Sequence, residues 1–186
     1  MQRVLIFTLL ALMALCGLAL PVHAEGEERA QAERLVQLGL KDARAKRFED
    51  AVKRFDAALK IYPNSEIAHN LARAKEELGM RIEAIDAFKR GLSLDPDYTY
   101  AEEARRKISA LDAALRTTHG VVTLRSTPDK VSVVVLVDGK AFTPHLTTPT
   151  TRYVPAGPFV VKAKMPGRLN AEHKGEVAAG ADIAVD

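Results

Sequence analysis

The chain has no tryptophan, aromatic residues make up only 5% of its 186 positions, and it has one cysteine, Cys16. With so few large rings, any core must be built mainly from Ala, Leu, Val and Ile, which suits closely packed helices and thin β layers. Cys16 lies near the N-terminus, so the rest of the chain holds no cysteine for a disulfide, a thiolate metal site or a thiol nucleophile. Charge of one sign is also scarce. The formal net charge is +3, and the basic residues of the helical region alternate with acids: Glu33, Arg34, Lys41, Asp42, Arg44, Lys46, Arg47, Glu49 and Asp50. Such interleaving reads as a solvated helix surface. A nucleic-acid binder would instead present an unopposed basic stripe with aromatics for stacking, so nucleic acid is excluded as a partner.

Catalytic motifs are missing as well. Beyond the N-terminal segment the histidines are His69, His119, His145 and His173, and none pairs with another at metal-ligand spacing. There is no G-x-S-x-G elbow and no phosphate-cradling glycine loop. Glu76-Glu77 and Glu102-Glu103 are paired acids, but neighbours along a helix point in different directions and read as solvated faces. Glu172-His173 reads as an exposed pair in a turn-rich stretch. The expectation is a protein that is not an enzyme, with no catalytic residue, metal or cofactor.

What is present begins with a leader. MQR is followed by VLIFTLLALMALCGLAL and then by PVHA before a polar EGEER. A basic start, a long apolar run and small residues before a polar segment are the parts of a secretory signal peptide, with cleavage after Ala24 expected. The alternative is an uncleaved anchor, since Val4 to Leu20 is at the short end of what spans a bilayer. Leu15 stands where a lipoprotein signal wants a small residue, so Cys16 reads as filler. Either way the chain is expected to cross the inner membrane to the periplasm or cell surface, touching the membrane only through this segment if it is retained.

Between Ala30 and Leu115 the apolar residues follow helical spacing, and the stretch repeats itself. Ala51, Phe55, Ala58, Leu59 and Pro63 recur as Ala84, Phe88, Gly91, Leu92 and Pro96, each 33 residues on. That period belongs to stacked helix pairs, which bury their apolar faces only against neighbours. Gly39, Ala51 and Ala58, then Ala72, Ala84 and Gly91, allow close approach, and Pro63 and Pro96 end the second helix of each pair. AERLVQLGLKDARAKRFEDAVKRFDAALKIYPN and SEIAHNLARAKEELGMRIEAIDAFKRGLSLDPD resemble tetratricopeptide repeats, and YTYAEEARRKISALDAAL resembles their capping helix. The resemblance implies a short α-solenoid whose first helices line a concave groove. The groove candidates are Val36, Gln37, Leu40 and Arg44, then His69, Asn70, Arg73 and Glu77, then Glu103 and Arg106. The family's groove Asn falls at Asn70, and Arg73 can meet a carboxylate through two parallel bonds.

After Leu115 the composition shifts to Val, Thr, Pro and Gly. VVTLRS, VSVVVLV, TTRYV and FVVKAKM read as strands, and Asp138-Gly139 as a tight turn. Pro128-Asp129, Pro155-Ala156-Gly157 and Pro166-Gly167 mark further turns. GVVTLRSTPDKVSV, VDGK and TTPTTRYVPAGPFVVKAKMPGR resemble, in order, a PEGA domain, a small β module of envelope proteins. That implies an antiparallel β sandwich or sheet. The expected organisation is thus a signal peptide over 1–24, a repeat domain over 25–116 and a β domain over 120–186. The expected function is a binding scaffold of the bacterial envelope, its groove holding a protein or peptide partner while the β domain tethers or spaces it. The alternative is a cell-wall glycan module in the β domain, with Phe142, Tyr153 and Phe159 as stacking candidates.

Overall fold

The computed structural model describes residues 20–164 and 170–186; most of the expected signal peptide, and the Pro166-Gly167 turn, lie outside them. A helical part precedes a β part. The chain divides into two compact units at Arg105/Arg106, inside the last helix.

The helices are α1 (Leu20–Arg44), α2 (Phe48–Ile61), α3 (Ser65–Glu77), α4 (Arg81–Leu94) and α5 (Ala101–Arg116). The backbone of α1 runs through Pro21 and Ala24, so no break in the helix marks the expected cleavage point. No described helix is long and apolar enough to cross a membrane.

The 33-residue period in the sequence is a period in the backbone. α4 begins and ends 33 residues after α2. In the turn before each of them one residue has positive φ, Lys46 at 58° and Gly79 at 73°, again 33 apart. Arg47 N–H donates to Asp42 O at 2.9 Å, and Met80 N–H repeats the bond to Lys75 O at 3.0 Å. Each second helix ends with a Tyr62 or Asp95 residue in extended conformation before a proline, as the proline ring requires of its predecessor. Asn64 caps α3, its side chain accepting from Glu66 N–H at 2.9 Å and Ile67 N–H at 3.2 Å. The buried positions repeat too: Ala51, Phe55 and Ala58 in α2, Ala84, Phe88 and Gly91 in α4.

One charge of the helical surface departs from the solvated reading. Asp42 is buried at 5% exposure. Its Oδ1 accepts from Arg47 Nη2 at 2.5 Å, and its Oδ2 accepts from Arg54 Nε at 2.5 Å. A carboxylate leaves water only where charged donors replace it, and here two guanidinium groups do so. These bonds, Arg47 first and then Arg54, hold the Asp42 carboxyl below the usual carboxylate range against the opposing effect of burial.

The β unit contains β1 (His119–Leu124), β2 (Ser132–Val137), β3 (Lys140–Ala141), β4 (Leu146–Thr147), β5 (Thr150–Pro155), β6 (Gly157–Lys164), β7 (Ala171–Val177) and β8 (Asp182–Val185). One sheet has the order β5-β1-β8; the other has β3-β2-β6-β7, with β4 also paired to β2. The expectation of purely antiparallel pairing is corrected at one place. β8 runs parallel to β1, with Val122 opposite Ile183 and Leu124 opposite Val185. Parallel neighbours need a long connection, and nearly the whole unit separates these two strands. Asp138 and Gly139 both have positive φ, at 50° and 73°, the geometry of a two-residue hairpin turn between β2 and β3. A single apolar cluster draws Val122, Leu124, Val154 and Val185 from the first sheet and Val133, Val135, Phe159, Val161 and Val177 from the second.

Candidate functional site: a hollow between α1 and α3

The first helices of the two hairpins, α1 and α3, leave two adjoining hollows of about 240 Å³ each. The first is lined by Val36 and Gln37 from α1, by Tyr62 and Asn64 from the turn between α2 and α3, and by Ile67 and Asn70 from α3. The second has an apolar floor of Leu40, Ala43, Phe48, Phe55 and Ala74, with Arg44, Arg73, Glu77 and Asn70 around it. Asn70 belongs to both hollows. Together they follow α1 from Arg29 to Arg44. At a rise of ~1.5 Å per residue that is roughly 22 Å, room for an extended segment of about six or seven residues.

The register explains the lining. Gln37 and Asn70 are 33 residues apart, as are Leu40 and Arg73, and Arg44 and Glu77. Equivalent turns of equivalent helices therefore face one another across the hollow. Arg29 and Glu33 pair with each other at 3.0 Å at its outer end. Among the described residues no ion pair engages Arg44, Arg73 or Glu77. Arg73 and Glu77 are both exposed, four apart on α3. They do not spend their charges on one another.

Three groove candidates have other surroundings. His69 is 2% exposed and belongs to the interior. Its Nδ1 lies 3.0 Å from the Tyr98 hydroxyl and its ring stacks on Tyr100 at 4.8 Å. Phe88 meets the same ring edge-on at 5.3 Å. Glu103 faces this cluster, its Oε1 being 3.8 Å from His69 Nε2. Burial first, then the Glu103 carboxylate, push the Tyr98 phenol above its usual value. Arg106 is exposed and falls in the second unit. The hollow therefore gathers Val36, Gln37, Leu40, Arg44, Asn70, Arg73 and Glu77, while His69 and Glu103 build a packed aromatic cluster. Sequence reading passed over Tyr62, Asn64 and Phe48, which line the hollow from turns and from α2. Tyr62 and Asn64 flank Pro63 at the repeat boundary, and Phe48 opens α2 after the turn within the first pair.

In the β unit, Phe159 is in the core at 2% exposure. Tyr153 donates its hydroxyl to Asp112 Oδ1 at 2.5 Å. Of the proposed sugar-stacking rings only Phe142 is exposed, at 37%. Among the described residues no group of three or more His, Cys, Asp or Glu side chains is placed to hold a metal ion. Compared with known proteins, the chain matches no family model and no curated sequence.

Proposed function

We propose that the protein is a non-enzymatic binding scaffold of the bacterial envelope. Its helical unit is a short tetratricopeptide-type array holding an extended peptide segment between α1 and α3. Its β unit is a PEGA-like sandwich that tethers or spaces the array after export to the periplasm or cell surface. The carrying observation is that Asn70 links two hollows lined by equivalent turns of successive hairpins. An amide both donates and accepts, and so suits a peptide backbone. Arg44 and Arg73 supply cations for a carboxylate-bearing side chain, and the floor of Leu40, Phe48 and Phe55 takes an apolar one. Burying one such side chain contributes roughly 1.5–3 kcal/mol, enough with a few backbone bonds for a transient complex.

The test is affinity capture from an envelope fraction with the mature chain and with an Asn70→Ala/Arg73→Ala variant. The variant is expected to keep its helical circular dichroism and lose the captured partner. Capture that is unchanged would remove the hollow from the reading.

A further inference from the structure

Of the described histidines only His69 is buried. Histidine is also the side chain whose charge changes most readily near neutral pH. α3 carries this imidazole, Phe88 of α4 meets it edge-on, and Tyr98 and Tyr100 enclose it from the segment before α5. A polar group is set against each ring nitrogen. Nδ1 is 3.0 Å from the Tyr98 hydroxyl, and Nε2 is 3.8 Å from Oε1 of Glu103, in the first turn of α5.

The charged groups around the ring have distinct duties. Arg105 of α5 donates to Glu102 and, at 2.6 Å, to Pro96 O. Glu66 of α3 accepts from Thr99 Oγ1 at 3.3 Å, and Arg73, one turn beyond His69, lines the hollow. Glu103 is the ionised group that meets a ring nitrogen. Burial first, and then Glu103, push the Tyr98 phenol up, so it stays a hydroxyl that can donate or accept. With a neutral ring, Tyr98 O–H donates to Nδ1 and the imidazole proton sits on Nε2, toward the carboxylate. The other tautomer would set a bare nitrogen lone pair against Glu103. With a charged ring, Nδ1–H donates to the Tyr98 oxygen and Nε2–H forms an ion pair with Glu103. The heavy atoms can keep their places in both states.

We infer that His69 and Glu103 form an acid-strengthened latch, which fastens the segment 98–103 onto α3 and so holds the end of the helical array closed. Between the ordinary values of ~4.3 for a glutamate and ~6.5 for a histidine, both groups can be charged together. Burial opposes a charged imidazole, but it does so with or without the carboxylate. The stabilisation that Glu103 adds is therefore smaller above the histidine range. It grows as the ring takes up its proton, and it is lost again once the carboxyl itself is protonated. The latch is independent of the peptide reading, because Asn70 and not His69 lines the hollow.

The test follows thermal unfolding of the full chain by helical circular dichroism at pH 8 and at pH 5.5. Glu103 is only partly buried, so Glu103→Gln removes the charge and leaves the core intact. Its melting temperature is expected to fall below the parent's by about 4 °C more at the lower pH than at the higher. Glu102→Gln removes the neighbouring exposed acid, and its deficit is expected to be the same at both. Nitrogen-15 magnetic resonance at pH 8 gives a reading that needs no variant, with the His69 proton expected on Nε2. A Glu103→Gln deficit that stays constant or shrinks on acidification would overturn the inference. Equal growth of the deficit in Glu102→Gln, or a proton found on Nδ1, would overturn it too.

Discussion

The two helix hairpins repeat each other in backbone and core but not in their polar chemistry. Ala51, Phe55 and Ala58 have buried counterparts in Ala84, Phe88 and Gly91, and the bonds of Lys46 N–H to Ala43 O and Arg47 N–H to Asp42 O recur as Gly79 N–H to Glu76 O and Met80 N–H to Lys75 O. Asp42, Arg47 and Arg54, however, become Lys75, Met80 and Ala87 at the equivalent positions. The first hairpin buries a carboxylate under two guanidinium groups, and the second has no member of that trio. In return the second buries His69 against Phe88, Tyr98 and Tyr100, where the first has the half-buried Val36. Packing shape defines the repeat, and the polar clusters are private to each copy. A periodic fold can thus be kept while its surface and its stability are tuned one unit at a time.

That comparison can be broken first at its shared centre. Phe55→Ala and Phe88→Ala should each cost about 3–5 kcal/mol, since both remove a ring that is essentially fully buried. Chemical denaturation measures both, and a loss in only one would show that the hairpins do not share one packing logic. The glycines come next. A Cβ at Gly39 would lie 2.7 Å from Phe55 Cε1, so the buried ring must shift, whereas one at Gly91 would lie 3.2 Å from Ser65 O. The clash at Gly39→Ala should cost roughly 1–3 kcal/mol, which the ~1 kcal/mol gain in helix propensity offsets in part, leaving a net loss of up to about 2 kcal/mol. Gly91→Ala should cost less, and equal losses would contradict the difference in spacing.

Asp42 sharpens the contrast through pH. Its carboxyl is held below the usual range, so its contribution is complete above the unfolded value near ~3.9 and is lost as pH falls through the folded one. The melting temperature should drop on acidification below about pH 4. Asp42→Asn should start lower at neutral pH and show a flatter acid dependence over that window. The smallest effect concerns the turns. Lys46 adopts the left-handed conformation that Gly79 adopts freely. Lys46→Gly should raise stability by up to about 1 kcal/mol, because a Cβ is penalised there. A matched loss would mean that the lysine side chain stabilises the turn by contacts of its own.

The helical part was legible because its information is periodic and local. Pro63 and Pro96, the small residues and the two phenylalanines specify helix ends and a core spacing that survive without any tertiary knowledge. The buried state of Asp42 was not legible, since the arginines that enclose it lie five and twelve residues away and only the folded hairpin brings them together. His69 misled for a related reason. Its register places it on the first helix of a pair, but Tyr98 and Tyr100 arrive from the segment before α5 and cover it. In the β part the apolar strands β1, β2, β5 and β6 were readable. β7, with the sequence AEHKGEV, is an exposed edge strand that buries only Val177, and charged edges carry little alternation. β8 is short and pairs with the most distant strand of its unit, which no local pattern encodes. The buried hydroxyls of Thr143 and Thr148, which accept from Val135 N–H at 3.2 Å and Val131 N–H at 3.0 Å, were likewise hidden in a polar-looking loop.

The most direct test of the hollow between α1 and α3 is a nuclear magnetic resonance footprint of a peptide selected on the mature chain from a random library. Shifts confined to Val36, Gln37, Leu40, Arg44, Asn70, Arg73, Glu77 and their neighbours are the expected result. Shifts concentrated in the β unit, or on the outer surfaces of α2 and α4, would contradict the scaffold account.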